Sequence, residues 1–359
     1  MNVAHMQTTR STRWGALAAG LVLLGAVPSQ AAVITVTDCV NDPNIIVQAG
    51  TDTTRIEVGA HDLVLACALA PLGGTHKLVL SGTNITLQGP AGTLMASGSG
   101  LAIDIAASAT FTAVDSAIEA PNGNAAVDVV AGGDILFEGT SVKVGATGSG
   151  GDLLLIECTG AAPDCTVTAR NSSFKSRELD MYAVGDINLS GVTITTNSPR
   201  DRTEIISFNG NVNAGAMALP QQPPASACLN VDPDTTQPNV ILGGPESDVL
   251  IQAFGYVDLT SIRITVAQNI FVISGAGGGM AGVAAYIDVT AAQIRNDIGK
   301  KGEIVMTADE TSEVITVNGV LLIDDDESAG VNDVAELNGC EMVPRAGCPN
   351  VVGTPATDS

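Results

Sequence analysis

Apolar and polar residues alternate in short runs along most of this chain. In Asp186-Ile187-Asn188-Leu189-Ser190 the two aliphatic residues fall on one side of an extended backbone and the polar residues on the other. Gly191 turns the chain, and Val192-Thr193-Ile194-Thr195 alternates again. A period of two, broken by Gly, Asn or Asp, predicts short β-strands that each bury one face. Val33–Thr37 and Arg55–Val58 read the same way near the start, as do Ile270–Ser274, Ala284–Val289, Glu303–Thr307 and Glu313–Ile323 toward the end. Helical spacing of apolar residues is scarce. His61–Ala70 is read as a short helix, and Ala291–Lys300 as a short helix or an outward loop.

A second pattern lies over the first. A small residue, a turn residue two places on and an apolar residue two further on recur at Ser81-Thr83-Ile85, Ala107-Ala109-Phe111, Ala131-Gly133-Ile135, Ala183-Gly185-Ile187, Phe208-Gly210-Val212 and Ala253-Gly255-Val257. Cys158-Gly160 joins the series if three residues bulge before Cys165. Successive middle positions are 26, 24, 27, 25, 25 and 45 apart, and the last interval falls to one repeat once the Pro-rich stretch 219–239 is taken as an inserted loop. A spacing of about 25 residues is one turn of a three-sided solenoid, three short strands with their corners. The expected fold is all-β: a single right-handed parallel β-helix over 77–323. Residues 32–76 are read as an N-terminal cap that hides the first sheet edges. Residues 324–359 are read as an acidic, loosely ordered tail.

Particular coils carry a resemblance. The runs Val130-Ala131-Gly132-Gly133-Asp134-Ile135-Leu136-Phe137-Glu138-Gly139 and Tyr182-Ala183-Val184-Gly185-Asp186-Ile187-Asn188-Leu189-Ser190-Gly191 resemble the coils of filamentous-haemagglutinin-type adhesins. Asn84-Ile85-Thr86-Leu87-Gln88-Gly89-Pro90 is similar to the opening coils of pectate-lyase-like β-helices. The likeness implies the fold and leaves function open, because lyases, hydrolases, adhesins and inert spacers all use this scaffold.

The first 31 residues read differently. Arg10 and Arg13 precede the apolar run Trp14–Val27, and Ser29-Gln30-Ala31 offers small residues to a signal peptidase. No later segment reaches the roughly 18 consecutive apolar residues of a membrane helix. The expected product is secreted or held at the cell surface, and is not an integral membrane protein. Fifteen basic residues against 38 acidic ones give a net charge of −23, and losing Arg10 and Arg13 makes it −25. Such a surface repels nucleic acid and favours cations or basic partners. Seven cysteines in an exported chain predict disulfides: Cys39 with Cys67, Cys158 with Cys165 and Cys340 with Cys348, leaving Cys228 free.

Candidate chemistry follows from the repeat. Coils stack at about 4.8 Å, so residues at one offset form a column along the outside. Three places before the repeat markers stand Asp104, Asp128, Leu155, Asp180, Ile205 and Leu250; Glu157 and Tyr182 lie one place before, and Glu178 and Asp248 five before. Alternation turns these outward, which makes an acidic face with Asp104 beside Asp128. Crowded carboxylates raise a pKa or recruit a cation, and hard oxygen ligands suit Ca²⁺. Asp104, Asp128, Glu157 and Asp180 are therefore the candidate calcium ligands, and a merely solvated acidic face is the plain alternative. A polysaccharide lyase needs a basic residue beside the metal, and the spacing places none in these columns. A glycoside hydrolase could use two of Asp128, Asp180 and Glu178.

Other motifs are weaker. Gly243–Leu250 approaches a calcium-binding nonapeptide in a single copy, Asp324–Gly330 approaches an EF-hand start, and Gly277–Gly282 matches a dinucleotide loop without its helix. His61 and His76, the two histidines beyond the leader, are too few for a zinc cluster or a hydrolase triad and read as surface residues. The sequence thus favours a non-enzymatic exported scaffold, adhesive, surface or matrix in type, with a polysaccharide or cell-surface component as possible partner. The alternative is a calcium-assisted polysaccharide lyase or a glycoside hydrolase.

Overall fold

The structure, a computed structural model, describes residues 32–48, 50–145, 152–160, 165–196, 202–215, 239–243, 247–260, 262–266 and 269–275. It also describes the later strands Tyr286–Asp288, Gln293–Asn296, Glu303–Ala308, Val314–Thr316, Leu322–Ile323 and Val334–Asn338. From residue 32 on, the chain winds through three sheets of 12, 11 and 9 strands, the broad, second and third sheets. One circuit runs Ala125–Ala131 (broad), Ile135–Glu138 (second), Ser141–Val144 (third); the next begins at Leu153–Cys158. Among the described strands each pairs in parallel with its counterpart one circuit on. The exception is Ile45–Gln48, antiparallel to Thr53–Glu57 at the N-terminal end of the broad sheet. The fold is a parallel β-helix, as the alternation and the repeat require.

Alternation decides what is buried. Ile135 and Phe137 point in and Leu136 and Glu138 out; Val127, Val129 and Ala131 point in and Asp128 and Val130 out. The interior holds rows of aliphatic side chains and one aromatic stack. The Phe111 and Phe137 rings lie 5.5 Å apart, and Phe137 meets Phe174 edge-on at 5.2 Å.

Two corner columns hold the coils in register. Asp115, Gly139, Asn171 and Gly191 follow successive second-sheet strands, and all have positive φ, from 46° to 63°. Each of the first three donates its backbone N–H to the carbonyl ending the next strand (Glu138, Arg170 and Ser190), at 2.8–2.9 Å. Asp and Asn are the non-glycine residues that best tolerate this left-handed bend. At the preceding corner, side chains bridge coil to coil: the Asn84 amide donates to Asp62 Oδ1 (2.8 Å), Thr110 Oγ1 donates to Asn84 Oδ1 (2.7 Å), and the Asn211 N–H donates to Asp186 Oδ1 (2.8 Å).

Several expectations need correction. His61–Ala70 is not a helix: Asp62–Leu65 is a strand of the second sheet, with Leu63 and Leu65 inward. Ala291–Lys300 likewise contains a strand, Gln293–Asn296, paired with Arg263–Val266. The repeat markers shift at three coils. Gly82, not Ser81, pairs with Ala107; Ser207, not Phe208, pairs with Ala183; and Val167, not Cys165, pairs with Ile135. Corner length differs between coils, so a fixed spacing slips by one or two residues.

Among the described residues two disulfides are present, Cys39–Cys67 near the N-terminal end and Cys158–Cys165 across one corner. They are compatible with an extracellular protein. Cys228, Cys340 and Cys348 lie outside the described residues. So do residues 1–31, nearly all of the Pro-rich stretch, Asp324–Gly330, Gly277–Gly282 and part of Gly243–Leu250. Among the described residues no helix is long and apolar enough to cross a membrane.

Candidate functional site

The outer face of the broad sheet gathers the charged residues, and parallel register sets their neighbours. Asp104 pairs with Asp128, Asp128 with Leu155, Leu155 with Asp180, and Asp180 with Glu204. The fourth carboxylate in this column is therefore Glu204, where the spacing put Ile205; Ile205 points into the core. In the column to one side, Glu178 pairs with Arg202, and Arg202 with Asp248. A basic residue thus does stand in the acidic columns, against expectation. Arg55 extends the Asp104 column at its other end, through Val79.

Arg202 is the centre of the densest cluster. Its Nη2 lies 2.6 Å from Glu178 Oε1 and 3.2 Å from Asp180 Oδ1, and its Nη1 lies 2.9 Å from Glu204 Oε1. Glu204 also accepts a hydrogen bond from the Tyr182 hydroxyl. The Tyr182 ring in turn packs 6.1 Å from that of Phe208, which stands half exposed at the end of its strand. Three carboxylates around one guanidinium leave a net negative knot, with Asp180 innermost at 2% exposure.

Burial sets the protonation of these groups. Loss of solvent raises Asp180 from its ordinary 3.8 to about 6; the charges of Glu204 and Glu178 push the same way, and Arg202 opposes them. Tyr182 is raised by burial and by its bond to Glu204. For Arg202 burial alone would lower the pKa, but Asp180, Glu204 and Glu178 outweigh it and the value is raised. Asp104, Glu157 and Asp248 are raised by burial too, with Arg55 partly offsetting the effect at Asp104 and Asn269 at Asp248.

A stability prediction follows from Asp180. The native chain holds its proton between about pH 4 and about pH 6 while the unfolded chain has released it. The group's contribution is therefore full below pH 4 and lost as pH rises through 6. Asp180→Asn removes the dependence. The variant should gain on the native chain by up to about 3 kcal/mol between pH 4 and pH 8, read from denaturant unfolding at several pH values. A pH-independent difference between the two would contradict the buried titration.

The other site candidates are placed separately. Asp104 and Asp128 are adjacent, but Leu155 lies between Asp128 and Asp180, and Glu157 pairs with Val130 and Tyr182. The four carboxylates considered for calcium therefore do not converge. Among the described residues no three His, Cys, Asp or Glu side chains stand together as a metal site. His61 accepts a hydrogen bond from the Ala32 N–H, and His76 meets Ser97 and Asp52 at the surface. Arg202 and Glu204 went unnoticed in the sequence, although the outward alternation Arg202-x-Glu204-x-Ile206 marks them.

No known protein family, curated protein or solved structure matches this chain. Function has to be argued from the site itself.

Proposed function

We propose that the chain is an exported scaffold of the surface, adhesive or matrix type, and that its β-helix carries out no covalent chemistry. The observation that carries this reading is the closure of the Arg202 cluster. Arg202 bonds to Glu178, Asp180 and Glu204, and Glu204 bonds to Tyr182, so these groups are spent on one another between adjacent coils. A general acid has to reach the leaving-group oxygen of its substrate. Asp180 is buried beneath its neighbours, with both carboxylate oxygens within hydrogen-bond distance of Arg202. A parallel stack with interlocked corners gives long, rigid faces, which is what a structural element supplies. The leader-like first 31 residues and the two disulfides support export.

One observation favours the rival, carbohydrate cleavage by paired carboxylates. Asp180 is raised to about 6 beside Glu178 and Glu204, as an acid beside a base would be. Incubating the purified chain with pectate, alginate and neutral glucans, with and without calcium, separates the two readings. The expected result is no release of reducing ends or unsaturated products. Turnover that disappears in Asp180→Asn would replace the scaffold reading with the enzymatic one.

A further inference from the structure

Charge on this solenoid is sorted by sheet. Over the same circuits, the broad strands from Gly100–Ala107 to Asp248–Ala253 carry seven acidic residues, Asp104, Asp128, Glu157, Glu178, Asp180, Glu204 and Asp248, and one basic residue, Arg202. The third-sheet strands from Ala117–Ala120 to Arg263–Val266 reverse the sign, with Lys143, Lys175 and Arg263 against the single acid Glu119. In a chain with 38 acidic and 15 basic residues, a sheet where bases outnumber acids stands out against the composition. Lys143 and Lys175 are paired in register, so their side chains leave the sheet side by side, and both are exposed. Glu119 bonds to Lys143 at 3.2 Å and offsets only part of this charge.

Both faces also show apolar side chains. Met95 and Leu242 are 47% and 38% exposed on the third sheet. On the broad sheet Leu155, Ile206, Leu250 and Phe271 point outward and are partly exposed. Alternation normally puts polar residues at such positions, and an outward apolar set on a flat sheet marks a surface that meets another surface.

We propose that the third sheet of one copy docks on the broad sheet of the next. The pairing is fixed by sign. Two broad faces would set acid against acid and two third sheets lysine against lysine, while broad against third sets acid against lysine with apolar side chains between. Such a contact uses different surfaces on the two partners, so each copy added presents a fresh face to the next, in a ring or a filament, rather than stopping at a two-fold dimer. Nine strands at ~4.8 Å and about four residues at ~3.3 Å make the third sheet a strip on the order of 500 Å². That is the low end of specific interfaces, suited to a weak contact that gains strength by repetition. The proposal deepens the scaffold reading, and the two can fail separately. Polysaccharide turnover would remove that reading and leave the contact standing; a monomeric chain would remove the contact and leave the reading.

The test is sedimentation of the purified full-length chain over a range of concentrations, at ~20 mM and ~0.5 M salt. Average mass should grow with concentration at low salt, and association should weaken about tenfold at high salt, where the Debye length falls to a few ångströms. K143E/K175E should stay monomeric at low salt, and so should D104K/D128K, with far-ultraviolet circular dichroism confirming the fold of each. Mixing the two should restore assembly, because the glutamates introduced in K143E/K175E meet the lysines introduced in D104K/D128K, and the native Lys143 and Lys175 of the latter meet the native Asp104 and Asp128 of the former. If the double lysine variant fails to fold, Asp128→Lys alone takes its place. A native chain that remains monomeric, an association unaffected by either reversal or by salt, or a mixture that does not assemble would each overturn the proposal.

Discussion

Truncating Phe137 to alanine should destabilise the solenoid by about 4 kcal/mol, the cost of emptying a buried aromatic site that cannot collapse. Phe137 sits in the middle of the interior stack, between Phe111 and Phe174, and has no solvent exposure. The three stacked rings lie on three different strands, Phe111–Val114, Ile135–Glu138 and Ser173–Ser176, so the void would be shared by successive coils. Stability in a solenoid is a sum of coil and interface terms, and losing one central interface uncouples the coils on either side. Thermal unfolding monitored by circular dichroism should show a large drop in midpoint. Phe208→Ala is the control: its ring is 51% exposed, and the loss should stay within about 0.5 kcal/mol. Equal losses for the two would mean that the stack does not organise the core.

Replacing Arg202 with methionine should cost about 2 to 3 kcal/mol at pH 8. Breaking a fully buried ion pair costs about 3 to 5 kcal/mol; here roughly a third of the Arg202 and Glu178 side chains stays in solvent, which lowers the figure. The substitution keeps most of the volume and leaves Glu178, Asp180 and Glu204 facing one another with no cation. Their repulsion falls as they take up protons, so the loss should shrink markedly at pH 5, where Asp180 is already mostly neutral in the native chain. Denaturant midpoints at the two pH values provide the check. A loss of the same size at both would show that Arg202 contributes by packing rather than charge.

How much of this was legible in the sequence depends on which geometry carried it. The period-two alternation of Asp186–Thr195 is fixed by the backbone, and it located strands and inward faces correctly. Asp104 beside Asp128 followed from a coil with an ordinary corner, and Cys39–Cys67 and Cys158–Cys165 followed from nearness in sequence. The candidate cluster was missed through one slipped residue. Counting five back from Phe208 reaches Thr203, which is buried; counting from Ser207, the true partner of Ala183, reaches Arg202. A strand shifted by one place exchanges its two faces, so the same error hid Glu204 behind Ile205. At His61–Ala70, expected as a short helix, the decisive signal was the brief alternation of Asp62-Leu63-Val64-Leu65. The left-handed corner column had a cue in plain view, since Asp115, Gly139, Asn171 and Gly191 each directly follow a second-sheet strand.

Thr193 pairs in parallel with Val240, so the third sheet runs on without a break although its next strand lies far ahead in the sequence. Asn239, directly before that strand, fastens the corner. Its amide donates to the carbonyls of Leu189 and Ala214, and its Oδ1 accepts the Val192 N–H. A joint sealed in this way keeps the winding in step where chain distance alone would lose it.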